Sequence, residues 1–290
     1  MKILGPDLLI FGVEDVDACI KCVTDYGLTK VESGSTGGVF EALDGTGVLI
    51  RHASDTSLAP PTAPSPNIRE TLYGVADKAT LQAVGAELTK DREVKLLPNG
   101  AIRSVDDDGY PIGFQVTTRR AIQAPHYGIN VPGQPHGRGM NVIAAIDTDR
   151  PKARSLSHVV MFTKDKVKSE KFYAERLAFR TVDTFTNLGP FMRPAGTNEH
   201  HTLFLIQAPA VGLQHFTFHY AGINEVLKGG WEFQRLGDKS FWGPGRHILG
   251  SNWFWYFNSP FGGLIEFDAV MDIHDESWKP RFLPASADTS

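Results

Sequence analysis

The sequence predicts an α+β fold of two similar domains, each built from two strand–helix–strands units. The main observation is an internal repeat, in which DLLIFGVEDVDACIKCVTDYGLTKVE, from Asp7, matches HVVMFTKDKVKSEKFYAERLAFRTVD, from His158, 151 residues later. A weaker match follows, because residues 67–88 and 212–233 each contain a strand running into a helix. Both halves then end in a turn and a strand. Repetition at this length indicates two copies of one domain.

Each repeat opens with an apolar run, typical of a buried strand, and a charged turn. The stretch EDVDACIKCVTDYGL then places Val16, Ile20, Val23 and Tyr26 at helical spacing, which predicts an amphipathic helix. A second strand follows this helix in both halves. The next unit repeats the same order, so the expected architecture is a pair of βαβββ units in each half.

Domain boundaries follow from composition. The stretch APHYGINVPGQPHGRGMN is rich in Gly and Pro without any period, which is typical of a linker or covering loop. We therefore expect a first domain over residues 1–140 and a second over residues 151–272. Residues 273–290 lack periodicity and are predicted to form a C-terminal tail.

The bulk composition excludes several classes of protein. Hydrophobic residues make up 41% of the chain and charged residues 21%, with a net charge of -4. No basic block supports binding to nucleic acid or to an anionic membrane. No apolar run approaches the length needed to span a bilayer, and the first residues contain no signal-peptide core. The expected protein is soluble and cytoplasmic.

Cys19 and Cys22 form a C-x-x-C pattern, which can indicate redox or zinc chemistry. Both residues fall inside the predicted first helix, away from the electropositive helix start that favours a thiolate. Zinc would also need two further ligands nearby. A structural role for both thiols is therefore the preferred interpretation.

Three polar residues in apolar strands are candidate metal ligands. In LQHFTFHY, alternation puts His215, on the face opposite two core phenylalanines, towards a cavity or solvent. Glu266 lies inside the apolar run LIEFDA, where an acid is costly unless it is paired or bound to a cation. His158 opens the run HVVMF. Two histidines and a carboxylate are the ligand set of open-site Fe(II) oxygenases, but the residues alone leave open whether these strands converge.

The repeated units resemble the vicinal oxygen chelate superfamily. Within it, the second half resembles type I extradiol ring-cleaving dioxygenases of the catechol and 2,3-dihydroxybiphenyl kind. The motifs that carry the resemblance are SHVV, HHTL, LQHFTF, GPGRH and YFNSPFGGLIEFD. The resemblance implies that His158, His215 and Glu266 bind the metal. It also implies Fe(II) as the cofactor, although the ligand types suit Mn(II) as well.

The resemblance also implies roles for residues beside the metal. The second histidine of the HHTL motif, His201, matches the acid–base histidine of the family. Strand alternation would place it opposite His200, which is then expected to be structural or to support the site. His247 and Tyr256 match groups that hydrogen-bond the oxygens of the substrate. His219 is expected to be structural or to line the pocket.

The first half provides an internal comparison. Its repeat-equivalent positions are predicted to be Asp7, Glu70, and Gly113 or Phe114, the last pair uncertain by one residue. None is a histidine, so one metal per chain is expected. This pattern agrees with the extradiol enzymes and argues against glyoxalase-like relatives, in which paired modules contribute ligands.

The function implied by the resemblance is Fe(II)-dependent extradiol cleavage of a catecholic substrate with O2, by an enzyme that forms a homo-oligomer. Two alternatives are a non-catalytic aromatic-ligand-binding protein and a metal-dependent isomerase or lyase of the same superfamily. Phe191, Trp242, Trp253 and Trp255 are candidates for an aromatic pocket. The GPG of the GPGRH motif is expected to form a loop over the site.

Overall fold

A computed structural model describes residues 1–34, 36–123, 128–143 and 150–286. The described residues of the first half form eight strands and two helices: β1 Ile3–Val13, α1 Val16–Tyr26, β2 Thr29–Gly34, β3 Gly37–Glu41, β4 Gly47–His52, β5 Ile68–Val75, α2 Lys78–Leu88, β6 Lys95–Leu96, β7 Ile102–Val105 and β8 Pro111–Val116. These strands form one sheet.

The second half forms a nine-stranded sheet. Its elements are β9 Ser155–Thr163, α3 Lys166–Lys171 with a π-helical turn Phe172–Arg176, β10 Phe179–Phe185, β11 Gly189–Pro194, β12 Leu203–Gln207, β13 Gly212–Tyr220, α4 Ile223–Arg235, β14 Ser240–Arg246, β15 Trp253–Asn258, β16 Leu264–Ala269 and β17 Arg281–Leu283.

Strand order confirms the predicted fold class. The first sheet runs β2-β3-β4-β1-β5-β8-β7-β6, and the second runs β14-β15-β16-β13-β9-β12-β11-β10-β17. In each sheet the first strands of the two units, β1 with β5 and β9 with β13, pair antiparallel at the centre. Each half is therefore two βαβββ units joined through their opening strands.

The repeat is not a constant 151 residues, and the π-helical turn explains why. The N-cap residues of α1 and α3 are Asp15 and Asp165, which lie 150 residues apart. After the helices, the bulges that follow Lys30 in β2 and Thr181 in β10 are 151 residues apart. The π-helical turn inserts one residue between these points. The predicted spacing is thus correct after the helix and wrong by one residue in the opening strand.

Helix α1 forms for the reasons that its sequence indicates. The Asp15 side chain accepts a hydrogen bond from the Ala18 N–H at 2.9 Å, and Gly27 ends the helix in the left-handed conformation at φ 113°. Cys19 and Cys22 lie on its buried face as free thiols. Burial and nearby Asp15 raise the pKa of Cys19 to about 12. Both thiols are therefore part of the packed core.

One hydrophobic core joins the two halves. Phe11 of β1 packs on Phe261 with ring centroids 4.5 Å apart, and on Phe216 of β13 at 5.4 Å. Tyr26 of α1 contacts Phe267 of β16 at 4.4 Å. On β13 and β16 these rings lie on one face of the sheet. The polar residues of the same strands, including His215 and Glu266, lie on the opposite face. The first half thus supports the second sheet from behind.

Two expectations about the end of the chain are wrong. The GPG of the GPGRH motif belongs to strand β14 and is not a loop. The C-terminal segment is also integrated into the second sheet, because β17 pairs in parallel with β10. The predicted boundary at residue 272 therefore does not mark the end of that sheet. Residues 287–290 of the predicted tail and 124–127 of the predicted linker lie outside the described residues. No helix within the described part of the chain is long and apolar enough to cross a membrane.

Candidate metal centre

Three adjacent strands bring the predicted ligands together. Strand β13 lies between β9 and β16, and Thr217 is paired with His158 on one side and with Glu266 on the other. His215, two residues before Thr217, projects from the same face. Three residues that are far apart in the sequence therefore meet on one side of the sheet.

The ligand atoms of these residues form a compact triangle. His158 Nε2 lies 3.1 Å from His215 Nε2, and Glu266 Oε2 lies 3.3 Å and 3.2 Å from these two nitrogens. All three side chains are buried. Ligands about 2.1 Å from a metal and 90° apart would lie about 3.0 Å from each other. The triangle therefore has the dimensions of one face of an octahedral site.

The hydrogen bonding of the three side chains also fits a divalent metal. Among the described residues, neither oxygen of Glu266 has a hydrogen-bond partner, although the residue is fully buried. Ser157 Oγ donates to Asp268 at 3.0 Å and lies 2.9 Å from His158 Nδ1, so it accepts from that nitrogen. His215 Nδ1 contacts Gln214 Oε1. Each imidazole therefore carries its proton on the outer nitrogen and turns a lone pair towards the centre.

The charges of the group are arranged as a cation site requires. Burial disfavours the charged form of Glu266, so a cation bound beside it would stabilise the carboxylate. Burial lowers the pKa of His215. One carboxylate with two neutral imidazoles is a ligand set suited to Fe(II), and also to Mn(II). Within the described residues, these three are the group that could hold a metal ion.

A cavity of about 160 Å³ opens beside the triangle. Its walls are mostly apolar, and their apolar residues are Val160, Phe185, Leu188, Phe191, Phe204, Ile206, Phe241, Trp242, Leu249 and Leu264. Of the four aromatic residues expected to shape a pocket, Phe191 and Trp242 line it. Trp255 instead packs in the core, and Trp253 is not among the lining residues.

His201 lines this cavity, but not for the reason given by strand alternation. Strand β12 begins only at Leu203, so both adjacent histidines precede it. Leu203 and Leu205 face the core, whereas Phe204 faces the cavity. If the same alternation continued back to His201, that residue would face the core. The centroid of its ring nevertheless lies 4.2 Å from the centroid of the His158 ring. Burial and the neighbouring histidines, His158 first, lower its pKa well below 6.5.

His247 and Tyr256 also line the cavity, next to Glu266. His247 Nε2 lies 3.0 Å from the Tyr256 hydroxyl and 3.4 Å from Glu266 Oε1. Burial and the nearby Glu266 raise the pKa of Tyr256 well above 10, so it stays a neutral phenol. The cavity wall next to the triangle therefore combines His201 with this hydrogen-bonded pair.

His219 does not line the cavity. It follows His215 and Thr217 on the same face of β13. Its Nδ1 lies 3.4 Å from Asp268, and its Nε2 lies 3.2 Å from Glu199. Burial lowers its pKa, but the two carboxylates outweigh burial and raise it well above 6.5. His219 is thus a cation held in an ion-pair cluster, next to the Asp268 that contacts Ser157.

Sequence reasoning missed Asn252, which lines the cavity and is 1% exposed. In the part of the chain that the structure describes, neither its amide nitrogen nor its amide oxygen has a hydrogen-bond partner. It also missed Ser157 and Asp268, which hold His158. Asp268 shares its strand face with Glu266, so alternation offered a signal for it. Asn252 precedes β15 and left no such pattern.

The first half fills the equivalent space with ion pairs. In the first sheet, Leu72 is paired with Leu8 on one side and with Gly113 on the other. In the second sheet, Thr217 is paired in the same way with His158 and with Glu266. The equivalent of His158 is therefore Leu8 and not Asp7, as the one-residue shift requires. For the uncertain pair, Gly113 is the equivalent of Glu266.

A Cβ on Gly113 would lie 2.1 Å from Glu70 Oε1, so the Glu70 side chain fills this space. Glu70 pairs with Arg103 at 2.6 Å, and Asp7 pairs with Arg119 at 2.8 Å. The carboxylates of the first half thus have arginine partners.

The sequence matches no protein-family model. It is 34% identical over 194 residues, 66% of the chain, to metapyrocatechase 2 of Cupriavidus necator. The chain spans 59% of the length of that relative.

Solved structures share the fold over almost the whole chain. The 2,3-dioxygenase LapB of Pseudomonas sp. KL28 superposes with a TM-score of 0.76 at 18% identity, covering 98% of both chains. Homoprotocatechuate 2,3-dioxygenase of Arthrobacter globiformis gives 0.74 at 17% identity over 99% of this chain and 86% of the other. The Mn(II)-bound glyoxalase of Novosphingobium aromaticivorans gives 0.78 at 18% identity, covering 99% and 89%. The chain therefore has the fold of these solved structures, and over 194 residues it is similar in sequence to metapyrocatechase 2.

Proposed function

We propose that the protein is an Fe(II)-dependent extradiol dioxygenase, which opens the ring of a catechol beside its vicinal diol and incorporates both atoms of O2. The observation that carries this proposal is the arrangement of one cavity. The cavity places a triangle of two histidines and a glutamate beside a buried histidine and a hydrogen-bonded His–Tyr pair. The relationship to a metapyrocatechase supports it.

In this proposal, His158, His215 and Glu266 hold the iron and leave one side of it open to the cavity. When bound, the iron supplies Lewis acidity for the diol oxygens and the redox chemistry for O2. Iron is proposed over manganese on the resemblance to extradiol enzymes, since the ligand types suit both. The outer hydrogen bonds of the two histidines keep the ligand nitrogens aimed at this point.

His201 is the proposed acid–base residue. Its imidazole is buried against His158 and lines the cavity. A neutral imidazole in this position accepts the proton of one substrate hydroxyl and returns it during ring opening, so no net proton is consumed. His247 and Tyr256 hydrogen-bond the substrate oxygens, and their mutual contact fixes the orientation of both.

The cavity walls support an uncharged substrate. Among the described residues that line the cavity, none is a lysine or an arginine. A catechol carrying a carboxylate would leave that charge among apolar side chains, which is unfavourable without a partner. We therefore propose a catechol with an apolar substituent, in contact with the aromatic walls formed by Phe191, Phe204 and Trp242.

Homo-oligomerisation and a cytoplasmic location stay predictions. For the first, the aromatic side chains of Trp231 and Phe282 are 60% and 65% exposed, and such residues are common at interfaces between subunits.

The decisive experiment loads metal-free protein with Fe(II) under anaerobic conditions, then adds O2 and a panel of catechols. We expect one O2 consumed per catechol and a ring-fission product that absorbs visible light. His201→Ala should keep its iron and bind catechol, yet lose about 10²- to 10⁴-fold in turnover. Binding of catechol without O2 uptake would instead favour the binding-protein alternative. Turnover of a different substrate without O2 would favour the isomerase or lyase.

A further inference from the structure

A chain of buried side chains leads from the cavity to the C-terminal strand. His201 Nδ1 lies 2.9 Å from His200 Nδ1, and His200 Nε2 lies 2.8 Å from Asp183 Oδ2. His201 is 3% exposed, whereas His200 and Asp183 are fully buried. His200 uses Nδ1 for its contact with His201 and Nε2 for its contact with Asp183, so the three residues form one continuous path.

Arg281 of β17 holds the far end of this path. Its backbone N–H donates to Asp183 Oδ1 at 2.8 Å. Its Nε donates to Asp183 Oδ2 at 3.0 Å, and a second guanidinium nitrogen, Nη2, donates to the same oxygen. Burial raises the pKa of Asp183, but hydrogen bonds from His200 and Arg281 outweigh it and hold the pKa at about 2. Asp183 is therefore ionised at neutral pH and can only accept hydrogen bonds.

The protons along the path follow from this end. Because Asp183 accepts, the proton of a neutral His200 must be on Nε2, which leaves Nδ1 as an acceptor. His201 must then donate from Nδ1 to His200. A neutral imidazole carries one N–H, so the lone pair of His201 is on Nε2, the nitrogen that has no partner in this path.

We propose that Asp183 and His200 are positioning residues that keep the proton of His201 on Nδ1 and leave its Nε2 free to accept a proton. In this proposal, Arg281 keeps Asp183 in position through its hydrogen bonds. The catalytic meaning of this arrangement rests on the proposed function. When His201 takes up a proton on Nε2, its Nδ1–H still donates to His200, and Asp183 stabilises the added charge through that ring.

The first half lacks this device at the matching position. Asp183 follows the β10 bulge, and Glu32 follows the equivalent bulge of β2. Glu32 is exposed and its carboxylate lies 3.4 Å from Arg51. A buried acid at this point is therefore not required by the strand itself. It occurs in the half that contains the candidate metal centre.

The test compares Asp183→Asn, Arg281→Met and the control Glu32→Gln. In Asp183→Asn, the amide oxygen keeps the hydrogen bond from the Arg281 backbone N–H, and the amide NH2 faces His200 Nε2 and displaces the partly exposed Arg281 guanidinium. Donation from this NH2 reverses both rings and leaves His201 with its proton on Nε2. Arg281→Met removes the guanidinium donors but keeps an accepting carboxylate, so the tautomers should persist. Histidine ¹⁵N NMR of the metal-free protein reads the tautomers directly, with signals assigned by His200→Gln and His201→Gln.

We expect the Nδ1–H tautomer of His201 in the wild type, in Arg281→Met and in Glu32→Gln, and the Nε2–H tautomer in Asp183→Asn. In iron-loaded protein, Asp183→Asn should lower kcat by about 10²- to 10⁴-fold with little change in KM. Arg281→Met should lower it less than tenfold, and Glu32→Gln not at all.

An Nε2–H tautomer in the wild type would overturn the proposal. Equal losses of kcat in Asp183→Asn and Arg281→Met with unchanged tautomers would also overturn it, because that pattern indicates a purely structural acid. If no catechol is cleaved by the wild type, the proposed function fails, and the NMR result still decides the tautomer.

Discussion

At the scale of single residues, Glu266 and Glu70 make an instructive pair. Both are buried glutamates within strands, Glu266 on β16 and Glu70 on β5, and they are 0% and 1% exposed. Glu70 has an arginine 2.6 Å away, whereas the oxygens of Glu266 face histidine nitrogens and have no hydrogen-bond partner. A buried carboxylate without a donor is costly, so Glu266 is the position at which a bound cation is most favourable.

We therefore expect Glu266→Gln to abolish iron binding while the protein keeps its far-ultraviolet circular dichroism. The amide removes the negative charge from the ligand triangle but keeps the shape of the side chain. Glu70→Gln is the matched control and should retain about one iron per chain by elemental analysis. Two tightly bound ions per chain in the wild type, or full iron in Glu266→Gln, would refute this assignment.

At the scale of elements, helix α1 of the first half braces the strands that carry the ligands. The Tyr26 hydroxyl donates to the backbone carbonyl of Glu266 and accepts from the Phe218 N–H at 3.1 Å. The Phe218 N–H lies next to a bulge in the pairing of β13 with β9. Tyr26 thus connects β13 and β16 from the side opposite the candidate metal centre.

Tyr26→Phe should lower the free energy of unfolding by about 1–3 kcal/mol, because a buried N–H loses its acceptor. Iron content should not change, since the ring and its packing remain. Urea unfolding of the metal-free protein measures the effect. Tyr110→Phe is a suitable control, because its hydroxyl lies 3.5 Å from the Phe162 carbonyl and should contribute far less. Equal stability of Tyr26→Phe and wild type would rule out the brace.

At the scale of the whole molecule, a buried acid lies at the junction of the halves. Asp106, in the turn between β7 and β8, accepts from the Tyr110 N–H at 2.9 Å and from the Tyr173 hydroxyl of the second half at 2.9 Å. Burial raises the pKa of Asp106 to about 7, despite these hydrogen bonds. The folded protein therefore holds a proton there that the unfolded chain has already released above pH 4.

The sign of the pH effect follows. A raised pKa stabilises the folded state below the unfolded value of 3.8, and this stability is lost as the pH rises to about 7. The full change corresponds to about 4 kcal/mol at most. Asp106→Asn, whose amide can donate to Tyr173, should remove this part of the slope between pH 4 and 8. Parallel stability profiles for wild type and variant, from urea unfolding at each pH, would contradict the expectation.

The sequence by itself determined the periodic and repeated parts of this protein. Strand and helix positions, the duplication and the free cysteines inside α1 follow from local patterns, which need only neighbouring residues. Alternation gave the facing of His215 correctly, and the apolar neighbours of Glu266 singled out that acid, because both residues lie within strands. The family motifs then supplied the convergence of His158 with them, which no local pattern contains.

Only the tertiary structure decided what depends on irregular backbone or on distant contacts. The π-helical turn moved the equivalent of His158 from Asp7 to Leu8, and one inserted residue leaves no clear trace in composition. His201 faces the cavity because it lies before β12, where alternation does not apply. The link from Arg281 through Asp183 and His200 joins segments about one hundred residues apart, and its members become neighbours only when β17 pairs with β10. Contacts of this kind are set by packing of the whole chain, so local sequence cannot specify them.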